Sequence, residues 1–534
     1  MFDPTSAPRV FGVPPGPDFP QILAEGLRAR MAGQPPEAMA RVEVIVNTAR
    51  MQARLREALI RQGQGFLPRL RLIGDLAGAE AADTGLRTRL ALAQTIRALL
   101  AREPDLAPGN AAHALADGLF RLLDEMQGEA VPLSVLERLD VSNHSEHWTR
   151  SLRFIRLIGQ HFGPVSGGQG RLRRSIALLA DHWANTPPDH PVILAGSSGS
   201  RGPSALLMQA IAGLPQGAVV LPGLDTAMPQ DLWDGLRDPM IGEDHPQFRY
   251  ARLLRGLGLK AGNVRPWHDD PGPQQRNALV SLALRPAPVT DQWLRDGPAL
   301  GDLMAPTRGI TLVEAGSPRQ EALSIALALR QAAVDGRKAA LITPDRTLAR
   351  RVTAVLDRWH IRPDDSAGRP LSLSAPGRYL RQIAELMRGG VTAQALVSLL
   401  KHPITHSASG RGAHLLHLRD LELYLRRKGL PYPDAAALRH WADGKPPRQG
   451  WAAWLIRAMF DALLEVSDSG GEMPIGDYSA LLETVFAGRE VREGLEAHPH
   501  VMIWGTLEAR AQGADLIVLG RRATTDPSPA LAAA

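Results

Sequence analysis

The start of the chain alternates short apolar runs with longer segments in which apolar residues recur every three or four positions. The runs at 9–13, 41–47 and 69–74 have the length of buried strands, and the segments at 18–31 and 48–62 have the period of amphipathic helices. Strands separated by helices of this length predict a parallel α/β sheet.

A region with only helical periodicity follows. Residues 88–102, 110–127 and 145–162 repeat apolar positions at the spacing of a helix, with no strand-like run between them. Strand-like runs return at 191–196 and 218–223, separated by a helical segment. The pattern therefore predicts an α/β domain that a helical insertion interrupts.

A segment rich in Pro and Gly, 285–300, precedes a second region with the same plan. Its first two predicted strands are followed by amphipathic helices, and a helical block covers roughly 376–490 before the last two strands. The predicted strands of this region are 309–315, 338–344, 500–506 and 515–520.

We therefore predict an α/β fold of two parallel-sheet lobes, each interrupted by a helical insertion. A chain of 534 residues is too long for one hydrophobic core, so several domains are expected. The predicted parts are 1–82 (first part of lobe 1), 83–186 (its helical insertion), 187–300 (the rest of lobe 1), 301–375 (first part of lobe 2), 376–495 (its helical insertion), 496–520 (the returning strands of lobe 2) and 521–534 (an atypical tail).

The composition of the chain excludes several kinds of site and of protein. The chain has no cysteine, so it can form neither disulfides nor cysteine-ligated zinc or iron–sulfur centres. No apolar run approaches the roughly 20 residues of a membrane span. Because the N-terminus also lacks a signal-peptide pattern, we expect a cytoplasmic protein with no membrane partner.

The net charge of +6 is compatible with binding to nucleic acid. Only five of the 61 basic residues are lysines. Arginine binds phosphate through two parallel hydrogen bonds and stacks on bases, which would suit a nucleic-acid partner. The codon bias of a GC-rich genome explains the excess of arginine equally well.

The first predicted strand runs into PPGPD (14–18), where a phosphate-binding loop would stand between a strand and a helix. Such a loop needs backbone N–H donors, a lysine for the phosphates and a Ser or Thr for Mg²⁺. The prolines lack N–H groups, no lysine of the chain is followed by Ser or Thr, and Asp18 adds negative charge at the helix N-terminus. We therefore predict a degenerate nucleotide loop with no catalytic residue, formed by Gly12, Pro14, Pro15, Gly16 and Asp18.

Two further patterns resemble metal sites but have simpler explanations. Asp434, Asp443 and Lys445 match the PD…(D/E)xK pattern of nucleases, whose carboxylates hold Mg²⁺ from adjacent strands, yet this segment predicts a helix that Asp434 caps. NHSEHW (143–148) has two histidines three residues apart, but it contains a capping box and has no apparent third ligand. We expect no metal site in this chain.

The segment AGSSGSRG (195–202) nearly matches the nucleophile elbow G-x-S-x-G of hydrolases. It lacks the last glycine, and no histidine or aspartate partner can be assigned. We expect instead a loop at the carboxyl ends of sheet strands, where α/β proteins bind ligands.

Several stretches resemble superfamily 1 helicases. VEVIVNTARMQARLREAL resembles motif Ia, which touches the DNA backbone, and ITLVEAGSPRQEALSIALALRQ resembles the start of the second RecA-like lobe. AALITPDRTLARRVTAVLDRWHI resembles the motif IV region, and MIWGTLEARAQGADLIVLG resembles a degenerate motif V. The resemblance implies two RecA-like lobes, with insertions of the 1B and 2B type.

A closer resemblance is to the AddB subunit of AddAB helicase–nucleases, in the form found in alphaproteobacteria. It covers about residues 9–520. The stretches that carry it are PPGPDFP, LLDEMQGE, DVSNHSEHWTRSLRFI, AGSSGSRGPSALLMQA, EDHPQFRYARLL, SLALRPAP, LITPDRTLARRVTA, PDDSAGRPLS and WGTLEARAQGADL. In that family this subunit scans DNA during double-strand break repair and recombination, while the AddA subunit hydrolyses ATP.

The resemblance implies two partners: DNA, as a single strand or a duplex end, and an AddA-like helicase–nuclease subunit. Family members continue into a nuclease domain that binds an iron–sulfur cluster and Mg²⁺. This sequence ends in RRATTDPSPALAAA, so we expect a truncated chain with no cofactor of its own. The alternative functions are an active ATP-dependent helicase or nuclease and a scaffold for the AddA-like motor.

The candidate DNA contacts lie at predicted strand ends and helix starts that match the resemblance. Arginine side chains and backbone amides at such ends contact mainly phosphates. A solvated surface side chain or a helix cap is the alternative role for each residue. The candidates are Thr48, Arg50, Arg201, Arg319, Arg346, Thr506 and Arg510.

Overall fold

Two parallel sheets are the framework of the protein. A computed structural model describes all residues except 4–6, 64, 78–80, 105–106, 108–110, 138–154, 156–166, 237, 271, 407–409, 444–481, 483–485, 487–489, 492–496, 510–511 and 521–534. Within the described residues the strands are β1 (Val10–Val13), β2 (Glu43–Val46), β3 (Arg69–Leu72), β4 (Val192–Ala195), β5 (Gly217–Pro222), β6 (Arg265–Pro266), β7 (Ala339–Ile342), β8 (Asp364–Asp365), β9 (Arg369–Pro370), β10 (Glu490–Val491), β11 (Val501–Trp504) and β12 (Leu516–Leu519).

The first sheet contains six strands in the order β3-β2-β4-β5-β1-β6, and every neighbouring pair is parallel. β2, β4 and β5 are buried along their whole length, because helices cover both faces of a parallel sheet. The edge strand β6 has only two residues, Arg265 and Pro266. A short edge with a charge and a proline resists pairing with another chain.

The second sheet contains four strands in the order β12-β7-β11-β8, again all parallel. β9 and β10 form a separate antiparallel pair. The two parallel sheets confirm the predicted α/β class, and they are compatible with two RecA-like lobes. We call the first sheet with its helices lobe 1 and the second sheet with its helices lobe 2.

Helices flank both sheets and form the insertions. In chain order, the helices of the described residues are α1 (Phe19–Met31), α2 (Ala38–Arg41), α3 (Ala49–Arg61), α4 (Ala81–Arg102), α5 (Ala112–Gly128), α6 (Ser134–Glu137), α7 (Gly168–Asn185), α8 (Gly202–Ala212), α9 (Gln230–Gly235), α10 (Pro239–Gly242), α11 (Phe248–Gly256), α12 (Gln274–Ala283), α13 (Gln292–Asp296), α14 (Met304–Thr307), α15 (Pro318–Val334), α16 (Arg346–Asp357), α17 (Ala375–Gly389), α18 (Ala393–Lys401), α19 (Arg411–Lys428), α20 (Ala435–Asp443) and α21 (Thr506–Ala509). None of them combines the length and apolarity needed to cross a membrane.

Each face of the first sheet has its own apolar core. α1 and α3 cover one face, where Leu23 and Leu55 pack with strand residues such as Val44. α7, α8 and α11 cover the other face, where Leu207 and Leu254 belong to one cluster. These helices carry the apolar period seen in the sequence, so burial of their apolar stripes explains why they fold onto the sheet.

Lobe 2 is smaller and follows the same plan. α15 and α16 pack together over the sheet, where Leu329, Leu341 and Val352 are buried in one cluster. The opposite face has a small cluster around Met502 and Trp504. Within the described residues, one layer of helices therefore provides most of the packing against the second sheet.

Helical insertions interrupt both lobes, as predicted. α4 and α5, between β3 and β4, pack around Leu92, Ile96 and Leu119. α18 to α20, between β9 and β10, pack around a core that includes Leu400 and Leu421. The predicted helix at 145–162 lies outside the described residues, apart from Ile155.

The predicted strand at 309–315 is wrong. The other predicted strands are present within a few residues of their expected bounds, but this segment pairs with no strand. Its apolar side chains point into solvent, and Leu312 is 84% exposed. The residues have strand-forming character, but that character forms a strand only where a neighbouring strand and a packing surface are available.

Candidate functional site

The two lobes contact each other beside the loops that follow β1 and β2. Ligands of parallel α/β proteins bind at the carboxyl ends of the strands, which is where these loops lie. The contacts that join the two sheets and their helices include three in this region: Gly513 N donates to Asp18 Oδ1 at 3.1 Å, Arg50 forms an ion pair with Asp364, and Lys338 Nζ lies 3.9 Å from Glu57 Oε1.

The predicted nucleotide loop is packed against its own lobe. Gly12 is the third residue of β1, and the chain then turns through Pro14, Pro15 and Gly16 towards Asp18 at the start of α1. Gly16 has a φ of +114°, and a Cβ built there would lie 2.5 Å from Pro273 Cδ. The amide of Asn277 donates to Pro15 O at 2.9 Å. The segment 272–277 therefore fills the position beside the loop where a phosphate cradle would need space.

Asp18 has a different role from the one its position suggests. It stands at the N-cap position of α1, but its side chain makes no capping hydrogen bond. One carboxylate oxygen accepts from Arg54 Nη2 at 3.1 Å and the other accepts from Gly513 N of lobe 2. The negative charge that a phosphate would bring to this helix N-terminus is already supplied by the protein itself.

A carboxylate also occupies the N-terminus of α8, a second helix that begins at the carboxyl ends of the strands. The loop 196–202 leads from β4 into α8, and Gly202 N donates to Glu129 Oε1 at 2.7 Å. Glu129 follows α5, so the first helical insertion supplies this contact. Ser197 is buried, and its hydroxyl accepts from Gly199 N at 3.2 Å, which shapes the turn. This loop is held by the chain's own side chains.

Two of the predicted DNA-contacting arginines hold neighbouring aspartates. Arg50, in the first turn of α3, contacts both carboxylate oxygens of Asp364 in lobe 2. Arg346, the first residue of α16, contacts both oxygens of Asp365, at 3.0 and 2.6 Å. The structure therefore brings Arg50 and Arg346 to the two residues of the short strand β8.

The other predicted DNA contacts are distributed over the surface. Thr48 caps α3 by accepting from Met51 N at 3.1 Å, which is the helix-cap alternative. Arg201 and Arg319 are exposed near the starts of α8 and α15, and Thr506 is exposed at the start of α21. Arg510 lies outside the described residues.

Sequence reasoning missed the charged groups that surround Arg50 and Asp18. In the sequence Arg54 is one of many arginines on an amphipathic helix, and no pattern marks the aspartates of β8 beyond their place in the stretch PDDSAGRPLS. Lys338 also lies here: burial, and then the nearby Arg54, lower its pKa, while Glu57 opposes that shift. No local pattern marks these residues, because their roles depend on contacts between distant parts of the chain.

The nuclease pattern does not have nuclease geometry. Asp434 accepts from Ala437 N at 2.7 Å and thus caps α20, as predicted, and Asp443 is the last residue of that helix. The carboxylates are therefore on a helix and not on adjacent strands. Among the described residues, no group of three or more His, Asp or Glu side chains could hold a metal ion. NHSEHW (143–148) lies outside them.

Comparison with known proteins adds no family to this picture. No protein-family model matches the chain, and no curated protein sequence matches it either. A functional assignment therefore depends on the residues and contacts described above.

Proposed function

We propose that this chain is a DNA-handling subunit of a helicase–nuclease complex that acts in double-strand break repair and recombination. In this proposal it is of the AddB type, its helicase-like core does not hydrolyse ATP, and an AddA-like subunit supplies the motor. DNA, as a single strand or a duplex end, lies across the two lobes. The proposal rests on the sequence resemblance together with the contacts at the lobe boundary.

The position of Asp18 is the observation that best supports a helicase-like core that does not hydrolyse ATP. In a nucleotide-binding loop, backbone amides and a lysine would surround a phosphate at the start of α1. Here a carboxylate stands at that start, contacts Arg54 and Gly513, and follows a loop packed by Pro273. Binding of ATP would have to displace these contacts and overcome repulsion by the aspartate.

The arrangement of arginines supports DNA as the ligand. Arg50 and Arg346 come from different lobes and lie beside one strand, β8. Guanidinium groups that hold carboxylates through two hydrogen bonds have the geometry needed to hold phosphates. An extended polyanion that passes between the lobes could contact both arginines.

A scaffold for the motor subunit is the second candidate function, and exposed apolar side chains favour it. Leu294, Met304 and Leu312 are 86%, 77% and 84% exposed, all within the segment that joins the two lobes. Large exposed apolar side chains that recur along one segment are a feature of protein-interaction surfaces. Under this hypothesis the chain binds an AddA-like partner in the absence of DNA.

We expect the purified chain to show no ATPase activity, even with saturating single-stranded DNA. The physical reason is the absence of a loop lysine together with the filled loop and the charge of Asp18. Release of inorganic phosphate measures this, with an active DNA-dependent ATPase assayed in parallel. Protein-dependent turnover would contradict this expectation. A higher turnover in an Asp18→Asn variant would then place ATP at this loop, and an unchanged turnover would place it elsewhere in the chain.

We expect the chain to bind single-stranded DNA with strong salt dependence. Each phosphate contacted should contribute roughly −0.7 to the slope of log affinity against log salt. Arg201→Ala or Arg319→Ala should weaken binding to all sequences alike and flatten that slope by somewhat less than one unit. Fluorescence anisotropy of a labelled oligothymidylate at several salt concentrations measures both effects.

Arg255→Ala is the matched control for this experiment, since Arg255 is an exposed arginine at the end of α11 rather than at a strand end. Equal losses in all three variants would indicate only a general charge effect. A slope near zero in the unmodified chain, with retained binding to an AddA-like partner, would favour the scaffold function.

A further inference from the structure

The short strand β8 carries two carboxylates, and each of them is held by an arginine from a different lobe. Asp364 receives both Nη groups of Arg50 from lobe 1, and Asp365 receives both Nη groups of Arg346 from lobe 2. The two aspartates are adjacent in sequence, and each guanidinium holds one carboxylate through two hydrogen bonds. Each ion pair has the bonding pattern of a guanidinium group on a phosphate.

The aspartates are held in place by the surrounding backbone. β8 pairs in parallel with β11, with Asp364 opposite Met502 and Asp365 opposite Ile503. Ala367 N donates to Asp365 Oδ1 at 3.0 Å, and Ser366 Oγ accepts from Gly505 N at 3.0 Å. The carboxylates therefore have fixed positions next to the turn that leads into α21.

The ion pairs are open enough to solvent to be exchanged. The Arg50 and Asp364 side chains are 19% and 41% exposed, and those of Arg346 and Asp365 are 40% and 22% exposed. Partly exposed ion pairs are weak, because solvent screens the charges and both side chains lose freedom. A DNA phosphate also presents two charged oxygens with comparable geometry, so it can compete for the same guanidinium groups.

We propose that Asp364 and Asp365 act as internal substitutes for DNA phosphates and restrain DNA binding until the DNA backbone displaces them. This inference rests on the proposed function, since it describes the regulation of the same DNA-binding site. DNA then gains Arg50 and Arg346 as contacts only when the two carboxylates release them. The affinity for DNA is therefore lower than it would be if Arg50 and Arg346 had no carboxylate partners. The affinity for other polyanions is lowered in the same way.

The same exchange changes the contact between the lobes. Arg50 belongs to lobe 1 and Asp364 to lobe 2, so a phosphate that takes Arg50 removes one of the contacts that join them. The contacts Asp18–Gly513 and Glu57–Lys338 do not involve these residues and persist. DNA binding therefore loosens the lobe boundary without separating the lobes.

The test is a variant that removes both charges and preserves shape, Asp364→Asn/Asp365→Asn. We expect it to bind labelled oligothymidylate roughly two- to thirtyfold more tightly than the unmodified chain, the range that two partly exposed ion pairs represent. The slope of log affinity against log salt should change little, because phosphates contact Arg50 and Arg346 in both complexes.

The matched control is Asp335→Asn/Asp357→Asn, which removes the same charge from exposed positions of lobe 2 where no ion pair forms among the described residues. If the control gains as much affinity as the β8 variant, the effect is one of net charge and the inference is wrong. Adding Arg50→Ala to the β8 variant should remove about half of the gain; a gain that persists in full also contradicts it.

The outcomes separate this inference from the proposed function. Binding by the unmodified chain with no gain in the β8 variant overturns the inference and leaves the proposed function in place. Binding by the β8 variant alone supports the inference and shows that the carboxylates hold the site closed. Binding by neither protein, with unchanged thermal unfolding, overturns both. The single variants Asp364→Asn and Asp365→Asn provide the same comparison if the double variant does not fold.

Discussion

Replacing Trp267 by alanine will destabilise lobe 1 by about 3–5 kcal/mol, the usual cost of removing a large buried aromatic side chain. Trp267 is 1% exposed and follows the edge strand β6. Its ring packs edge-on against Phe11 at a centroid distance of 5.2 Å, and its Nε1 donates to Leu23 O at 3.2 Å. Arg30 also stacks on the ring, with its Cζ 3.8 Å from the centroid, so the variant loses apolar, polar and cation–π contacts together.

A glycine of α1 makes this packing possible. A Cβ built on Gly26 would lie 2.3 Å from Trp267 Nε1, so only glycine allows the indole to approach the helix. Glycine in a helix interior costs about 1 kcal/mol relative to alanine. We expect Gly26→Ala to destabilise the unmodified chain by about 1–3 kcal/mol through overpacking. In the Trp267→Ala background the same change should stabilise by up to about 1 kcal/mol.

Hydrogen exchange of the α1 amides, followed by mass spectrometry, measures the stability of lobe 1 separately from the insertions. The decisive result is the reversal of sign for Gly26→Ala between the two backgrounds. If Gly26→Ala destabilises both backgrounds equally, the close approach of Trp267 is not the reason for the glycine. The exposed Trp293 provides a control, since Trp293→Ala should leave exchange in α1 unchanged.

The sequence was sufficient to predict the two sheets because their strands are short, apolar and buried. β2 and β4 consist of EVIV and VILA, and such runs form buried strands when amphipathic helices lie between them. Helices α1, α3, α15 and α16 were likewise predictable from their period. The segment 309–315 is also rich in strand-forming residues, but it pairs with no strand and is exposed, and local composition does not report whether a segment will pair.

The candidate site was predictable only in part. The lack of a loop lysine and the charge of Asp18 are visible in the sequence, and both indicate a nucleotide loop without its chemistry. The contacts of Asp18 with Arg54 and Gly513 join residues up to 495 positions apart, which no local pattern encodes. The same is true of Arg50 and Asp364, which are separated by 314 positions. The sequence identified the arginines, and the fold determined which carboxylates they contact.

Asp18 lies both in the proposed degenerate loop and at the contact between the lobes, so changing it should affect both. We expect Asp18→Ala to cost about 1–3 kcal/mol, because it leaves Arg54 without its nearest carboxylate and Gly513 N without its acceptor. Arg54 is only 15% exposed, so solvent compensates poorly for the loss. Asp18→Lys should cost more, since it adds a positive charge beside Arg54, near Lys338.

The lysine variant also tests the proposal that the loop does not bind a nucleotide, and the physical reason for it. If the missing lysine and the aspartate were the only defects, Asp18→Lys would favour phosphate at the start of α1. We expect no binding of a fluorescent ATP analogue, because Pro273 and Asn277 still fill the side of the loop.

We also expect faster hydrogen exchange at residues 512–516 in both variants. Glu25→Ala, a change on the same helix whose carboxylate lies 3.9 Å from His268, should leave that exchange unchanged. Nucleotide binding by Asp18→Lys, or unaltered exchange in both Asp18 variants, would show that the loop and the lobe contact do not depend on each other in this way.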